Sequence, residues 1–278
     1  MKGLIVLGAC LAAVGCGAGS GTRQPAPLPS PSAAVPASPA APVFYAVSLP
    51  LTYRLERRDS LVISGETGEQ VQVTAKQAVV TVSTRPVDKL FEIRLDSLQP
   101  VGASHLVRST LDSAIGARWH SDRPIRSGST FTADREGILT GQVGQILELL
   151  FQQLPTDGLR ATSRWTTTVQ RPLHVDAFAA EEQATRSASA AAESATTIGI
   201  EFTDQLRRSG TAHQADQLLR LTGTGRRTGR LVMQMEGYPA SLEATETSDL
   251  IIARDSGSPV LVRVLTVIRA VLRTPNAR

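Results

Sequence analysis

Side chains that could perform hydrolysis occur in this chain, but their spacing does not match what catalysis needs. The run His120-Ser121-Asp122 contains the three residue types of a serine-hydrolase triad. A working triad brings these types together from separate segments, and neighbours on a strand point to opposite faces. No Gly-x-Ser-x-Gly motif is present, and no serine stands three residues before Lys76 or Lys89, so other common hydrolase signatures fail as well. We therefore expect no catalytic residues and a protein that is not an enzyme.

The histidines and cysteines are also poor candidates for a metal site. Apart from the run above, the close His/Asp pairs are His174-Val-Asp176 and His213-Gln-Ala-Asp216. A zinc site needs three or four ligands, which such pairs do not supply. The two cysteines, Cys10 and Cys16, both lie near the amino terminus. We expect no metal and no cofactor.

A glycine- and arginine-rich segment, Gly223-Thr-Gly-Arg-Arg-Thr-Gly229, has the composition of an anion-binding loop. It lacks the Gly-Lys-Ser/Thr ending of a P-loop and the glycine spacing of a dinucleotide loop, and no helical pattern follows it. We predict a hairpin connection here. The basic residues are almost all arginine, a bias that we interpret mainly as genome composition. The formal charge of +4 includes Lys2, and so modest an excess does not indicate a nucleic-acid partner.

The clearest chemical feature is a modification site at Cys16. Lys2 precedes an apolar run that is too short to span a membrane and that ends in small residues before the cysteine. The stretch Ala13-Val14-Gly15-Cys16 resembles the lipobox of bacterial lipoprotein signals. The resemblance implies that residues 1–15 are a signal peptide and that Cys16 is lipidated with acyl chains such as palmitate. An ordinary secretory signal with an incidental cysteine is the alternative, and Cys10 ends a second lipobox-like stretch after a shorter apolar core.

The resemblance to lipoprotein signals also implies a location. Gly17 stands where an aspartate would favour retention in the inner membrane of a Gram-negative cell. We therefore expect a protein of the cell envelope, held by its lipid at the outer membrane and facing the periplasm. Its expected partners are the membrane, through the lipid, and either a lipid ligand or another envelope protein.

Residues 16–42 are predicted to be a disordered stalk after the lipidated cysteine. They are nearly all Gly, Ala, Ser and Pro, a composition that cannot bury a core and that favours extended polyproline II structure. At about 3.1 Å per residue, such a stalk reaches up to roughly 80 Å. It would hold the folded part well clear of the bilayer.

The folded part is predicted to be mainly β. Phe91, Ile93 and Leu95 alternate with polar residues, which is typical of a half-buried strand. Ten or more such strands, joined by turns such as 64–68 and 255–259, indicate a large antiparallel sheet. The last segment, 260–272, has apolar residues on both faces and is predicted to be covered on both sides.

One segment breaks this alternation and predicts an apolar helix over 141–154, ended by Pro155. Its apolar residues recur at helical spacing: Val143, Ile146, Leu147, Leu150 and Leu154. We expect the helix to pack on the concave face of the sheet. Its apolar residues either form core or line a cavity for a hydrophobic ligand, and they are the candidate ligand-binding residues.

The order of these segments divides the chain into parts. After the stalk we predict a first β-rich half over 43–175, which contains the helix, and a second β-rich half over 197–273. Between them, residues 176–196 are rich in Ala, Glu and Ser and are predicted to be a connector. The fold class is therefore mainly β (α+β): a large curved antiparallel sheet or half-barrel, with two similar halves as one possibility.

This combination resembles lipoproteins of the LolA/LppX type, in which a half-barrel sheet closes over helices. The closer likeness is to uncharacterised bacterial lipoproteins, carried by Asp134-Arg-Glu-Gly-Ile138 and by the stretch from Leu154-Pro155 to Arg164-Trp165. The half-barrel family implies carriage of an acyl chain or a lipidated partner. We expect a non-catalytic envelope lipoprotein that binds such a ligand. The alternative is a structural or interaction protein with a filled core.

Overall fold

The computed structural model describes residues 41–273 except 49, 66–67, 86, 88–89, 103–107, 123–127, 129, 176–177, 215–216 and 255–256. These residues form two helices, α1 (Arg108–Ala114) and α2 (Ile138–Leu150). The strands are β1 (Leu51–Gly65), β2 (Gly68–Thr84), β3 (Phe91–Pro100), β4 (Arg118–Ser121), β5 (Phe131–Ala133), β6 (Arg164–Val175), β7 (Phe178–Ala192), β8 (Thr197–Gln214), β9 (Gln217–Gln234), β10 (Pro239–Arg254) and β11 (Val260–Arg273). The predicted signal peptide, Cys16 and nearly all of the predicted stalk lie outside the described residues.

All strands of the described residues belong to one antiparallel sheet, in the order β5-β4-β3-β2-β1-β11-β10-β9-β8-β7-β6. β1 pairs with β11, so the strands that precede α2 and those that follow it form one continuous sheet. The end strands β5 and β6 do not pair with each other within the described residues. The predicted mainly β, antiparallel fold is confirmed, and the two predicted halves form a single open sheet.

The sheet curls around α2. Eleven strands spaced about 4.8 Å apart would place the end strands of a flat sheet almost 50 Å from each other. A helix is only about 10 Å across, yet α2 contacts both end strands, β5 and β6, as well as the central strands β10 and β11. Both edges must therefore bend toward the helix, which lies on the concave side as predicted.

The inner face of the sheet has three bands along the strands. The proximal apolar band packs around α2 and includes Tyr53, Leu55, Leu231, Leu242 and Ile268. The charged band follows and is buried: Asp59, Lys76, Glu182, Asp204, Arg208, Arg227 and Glu246. The distal apolar band lies toward the hairpin tips and is centred on Leu221, Leu250 and Val262. The strands of 14 to 18 residues, such as β11 and β8, are long enough to cross all three bands.

The helix α2 begins three residues before the predicted 141 and ends at Leu150. It ends early because Phe151 leaves the helical conformation and makes edge-to-face contacts with several rings. These rings belong to Tyr45, Tyr53, Phe91 and Phe131, with centroid distances between 5.2 and 6.2 Å. The short helix α1 was not predicted, because its seven residues, about two turns, carry too little apolar periodicity to detect.

The prediction of a connector over 176–196 is wrong, because Phe178–Ala192 forms strand β7 within the sheet. Its inward positions include Ala180, Ala184, Ala188 and Ala190, all buried. Small side chains fit the inner face of a tightly curled sheet, where neighbouring strands crowd together. The low apolar content that suggested a connector therefore reflects curvature.

The prediction of a hairpin connection at 223–229 is also wrong, since the segment lies inside β9. A Cβ atom on Gly229 would lie 2.5 Å from Phe202 Cζ, and one on Gly223 would lie 2.5 Å from Leu250 Cδ2. Side chains of adjacent strands therefore occupy the space that these glycines leave free. Only a residue without a side chain fits at these inner-face positions.

The prediction that the last strand is covered on both sides is wrong as well. On the outer face of β11, Leu261, Leu265 and Val271 are 39%, 42% and 52% exposed. The inner-face residues Val262, Ile268 and Ala270 are buried. Apolar content on both faces thus reflects one core face and one exposed apolar surface.

Candidate functional site

The charged band contains a row of directly paired residues across six adjacent strands. From β7 to β1, the row consists of Arg186, Asp204, Arg227, Glu246, Thr266 and Asp59. Cations and carboxylates alternate over its first four positions. Because directly opposed residues on one face of a sheet interact, each arginine lies next to a carboxylate partner.

The geometry of this row is that of charge-assisted hydrogen bonds. Arg186 donates from Nε and Nη2 to the two carboxylate oxygens of Asp204, at 2.7 and 2.8 Å. Arg227 donates to Asp204 at 2.9 Å and, from Nη2, to Glu246 at 2.6 Å. Such bidentate and bridging contacts are the strong class of protein hydrogen bonds.

A second, shorter row lies beside the first. Arg171 in β6 is opposite Glu182 in β7, which is opposite Arg208 in β8. Arg171 Nη2 lies 2.5 Å from Glu182 Oε1, and Arg208 Nη2 lies 2.5 Å from Glu246 Oε1. Arg208 also donates to Glu182 and so joins the two rows.

The arginines keep the buried carboxylates ionised. Burial alone would raise the pKa of Glu182, but the nearby guanidinium groups of Arg171, Arg227 and Arg208 outweigh it and hold this pKa well below its usual value. Burial likewise opposes ionisation of Glu246, yet Arg227 and Arg208 lower its pKa to about 2. Both carboxylates are therefore charged throughout the physiological pH range.

From β6 to β10, the charges of the two rows and of Glu148 on α2 are balanced, while Asp59 on β1 is paired with Arg57 and Lys76. The four arginines are Arg171, Arg186, Arg208 and Arg227, and the four carboxylates are Glu148, Glu182, Asp204 and Glu246. Each charge has an opposite partner, and none of these groups is a free nucleophile. Buried ion pairs contribute little net stability but penalise any arrangement that separates them. A one-residue slip of a strand would do so, so the two rows hold the register of the long strands.

The polar side of α2 faces the charged band. Gln142 accepts a hydrogen bond from Lys76, and Gln145 accepts one from Arg57 at 3.0 Å. One turn further on, Glu148 accepts from Arg171 at 2.5 Å. The polar positions of the helix are thus half-buried and hydrogen-bonded to the sheet.

The far end of the row contains a buried lysine. Lys76 Nζ lies 3.7 Å from Asp59 Oδ2, and Arg57 Nε lies 2.9 Å from the same oxygen. Burial and the nearby Arg57 lower the pKa of Lys76 to about 8, although Asp59 partly offsets them. Two cations therefore share one carboxylate at this end.

A small polar cavity of about 70 Å³ lies between the end of α2 and strand β6. Its lining includes Glu148, Gln152, Thr167, Arg171 and Arg186. Gln152 Oε1 accepts a hydrogen bond from Arg186, whereas the buried Gln152 Nε2 has no partner among the residues that the structure describes.

The predicted ligand-binding residues lie in the proximal apolar band. Their exposures run from 0% to 2% for Val143, Ile146, Leu147, Leu150 and Leu154. A cavity wide enough for an acyl chain would leave open space beside its lining, and these side chains have almost none. Their contact with a ligand stays a prediction.

Where the structure describes the residues of the triad-like run and its strand, they take part in hydrogen bonding and packing of the fold. Ser121 Oγ accepts a hydrogen bond from the Phe91 amide at 2.9 Å, and the adjacent Trp119 is buried in the proximal band. Asp176, Asp216 and Lys89 lie outside the described residues. Among the residues that are described, no cluster of three or more His, Cys, Asp or Glu side chains could hold a metal ion.

Sequence reasoning missed the charged band. The signal was present as charged residues at the inward positions of alternating strands, such as Glu182 and Arg186 among the alanines of β7. A charge on an apolar face is unusual unless it is paired. The arginines of the band are therefore part of the architecture as well as of the composition.

None of the helices in the described part of the chain is long and apolar enough to cross a bilayer. Neither a scan against known protein families nor a search of curated proteins found a match to this chain.

Proposed function

We propose that this chain is an exported lipoprotein, anchored through Cys16 in the cell envelope, that acts by binding another envelope component through its outer surface. The lipobox resemblance supports the anchor and the envelope location. The paired charges and the structural roles of the candidate catalytic residues support a non-catalytic role. The sequence led us to expect either a carrier of a hydrophobic ligand or a structural or interaction protein with a filled core. This proposal is the second of these.

One observation carries this choice: the concave side of the sheet is filled around α2. From Val143 to Leu150 the apolar residues of α2 are at most 2% exposed, and its polar side is hydrogen-bonded to the charged band. An acyl chain occupies several hundred cubic ångströms, as in typical ligand pockets. The cavity of about 70 Å³ beside α2 is too small and too polar for it.

The outer face offers a surface for binding. Val71, Ile251, Leu261, Leu265 and Val271 are each at least 39% exposed. They lie on β2, β10 and β11. In the sheet, β10 is next to β11, and β1 lies between β11 and β2. Ile251 and Leu261 are directly opposed, and Leu265 lies four residues further along the same face of β11. Exposed apolar side chains that lie together on one face are typical of protein interaction sites.

Native mass spectrometry of the full chain, purified from bacterial membranes in mild detergent, tests both parts of the proposal. After denaturation, the mass should exceed that of residues 16–278 by the mass of the acyl groups. The Cys16→Ser variant, expressed in parallel, should lack this increment. Under native conditions the chain should retain no further lipid.

Two results would contradict the proposal. An unmodified amino terminus at or before Cys16 would exclude the anchor. A lipid that co-purifies in a 1:1 ratio and dissociates on denaturation would exclude the filled core and establish a carrier.

The distal apolar band supports the carrier function as a second candidate. No described helix covers it, and six of its apolar side chains are only partly buried: Leu61, Ile63, Phe178, Ile252, Val260 and Val264. A co-purifying lipid that is lost from Ile252→Asp but kept by Ile251→Asp, on the outer face, would establish this location.

A further inference from the structure

The small polar cavity lies at the gap between the two edges of the sheet. Thr167 and Val169 of the end strand β6 form one side, and Gly128 and Thr130, just before the other end strand β5, form the opposite side. The end of α2 closes the cavity from the concave side through Gln152. The cavity therefore lies between elements on which both edges converge.

The cavity contains a hydrogen-bond donor without an acceptor. The orientation of the Gln152 amide is determined by Arg186, which donates to its Oε1. This leaves Nε2 as the atom without a partner in the described part of the chain. Gln152 is only 2% exposed, and an unsatisfied buried donor costs about 1–3 kcal/mol. A native structure is expected to satisfy such a group with a bound molecule.

Guanidinium groups supply further hydrogen-bond donors to the cavity beside Gln152 Nε2. Arg171, Arg186 and Arg227 all contribute to the wall. Each Nη1 atom carries two hydrogens, and each has one acceptor here: Glu148, Gln152 and Asp204, respectively. The second hydrogens of these three groups have no acceptor among the described residues.

The wall itself is positively charged, although the network as a whole is balanced. Among the described residues that line the cavity, Glu148 is the one carboxylate. The partners Glu182, Asp204 and Glu246 lie on the sheet beyond the guanidinium groups and do not line it. A molecule in the cavity therefore meets three cations and one anion.

We propose that this cavity binds the carboxylate of a small organic acid, which accepts hydrogen bonds from Gln152 Nε2 and from the surrounding guanidinium groups. A carboxylate has acceptor sites and no donor, so it fits a surplus of donors better than water, which adds two donors of its own. One water needs about 10–15 Å³ of such space. A cavity of about 70 Å³ therefore has room for a molecule the size of acetate.

Thermal unfolding of the full chain in detergent, with sodium acetate as the probe, tests this site. Acetate should raise Tm by about 4 °C at a tenfold excess over its Kd, and the rise should continue with the logarithm of the acetate concentration. Sodium chloride at the same ionic strength and acetamide, the neutral analogue of acetate, should not. An acetate effect equal to that of either control would overturn the proposal.

Substitutions of Gln152 separate specific binding from a general salt effect. Gln152→Met should abolish the response to acetate, while Gln170→Met, on the outer face of β6, should keep it. In Gln152→Glu the side chain itself supplies a carboxylate to the same donors. Acetate should therefore leave the Tm of this variant unchanged. If Gln152→Met fails to fold, Thr167→Val serves as the second wall variant and should weaken acetate binding at least fivefold. If Gln152→Met or Thr167→Val responded to acetate like the parent protein, the proposal would be wrong.

Discussion

At the scale of single residues, Arg227 is the centre of the charged band. It is 2% exposed and lies within 3.5 Å of three carboxylates, those of Asp204, Glu182 and Glu246. Removal of one partner from a buried ion pair is far more costly than replacement of the whole pair, because it leaves an uncompensated charge. Arg227 is bound to more carboxylates than any other arginine of the band described here.

We expect Arg227→Met to destabilise the protein by about 3–5 kcal/mol. The matched control is Arg226→Met, because the adjacent side chain is exposed on the outer face and should change stability by less than about 0.5 kcal/mol. Urea unfolding followed by circular dichroism measures both. Equal effects of the two substitutions would mean that the band contributes nothing at this position.

At the scale of elements, α2 is amphipathic and nevertheless makes contacts with the sheet on both of its sides. Leu147 and Leu150 pack in the proximal apolar band, while Gln145 and Glu148 meet cations of the sheet. The apolar periodicity predicted the first contact. The second could not be predicted, because a polar helix face normally indicates solvent, and only the curled sheet brings a charged band to it.

We expect Leu147→Asp to unfold the chain or to destabilise it by more than about 4 kcal/mol, because it buries an unpaired carboxylate in an apolar core. Ile138→Asp on the same helix is the control. Ile138 is 42% exposed and lies in the first turn, where a negative charge is favourable. Far-UV circular dichroism and urea unfolding measure the secondary structure and the stability of both variants. A folded Leu147→Asp protein with near-native stability would show that the space around α2 is not filled.

At the scale of the whole molecule, the charged band links the strands from β6 to β1 across the sheet. Its stability depends on carboxylates that are ionised when folded. Glu246 has a pKa of about 2 in the fold against an ordinary value of 4.5, and that of Glu182 is lowered further. A carboxylate with a lowered folded pKa stabilises the fold above its ordinary pKa and loses this contribution as the pH falls toward the folded value.

We therefore expect stability to be constant from pH 7 to about 5 and to fall steeply between about pH 4.5 and 2, with Glu246 alone contributing about 3 kcal/mol. Urea midpoints measured across this range test the prediction. In Glu246→Gln the slope should be smaller, whereas Glu243→Gln, on the exposed face of the same strand, should behave like the parent. Identical slopes in both variants would assign acid sensitivity to groups outside the band.

The sequence by itself determined the fold class and the position of the long helix. Alternation in segments such as 91–95 sets which side chains share a face, and 3.6-residue periodicity marks the apolar side of α2. Both are local properties of the backbone, so they can be read without knowledge of partners. The lipidation of Cys16 is a prediction of the same local kind.

Only the tertiary structure decided which faces and edges meet. The pairing of Asp204 with Arg227 depends on the register of β8 and β9, and the cavity at Gln152 depends on the convergence of β5 and β6 on α2. The alanines of β7 and the glycines of β9 were misinterpreted for the same reason. Their small size is required by the curvature of the sheet, a non-local property that composition and periodicity do not encode.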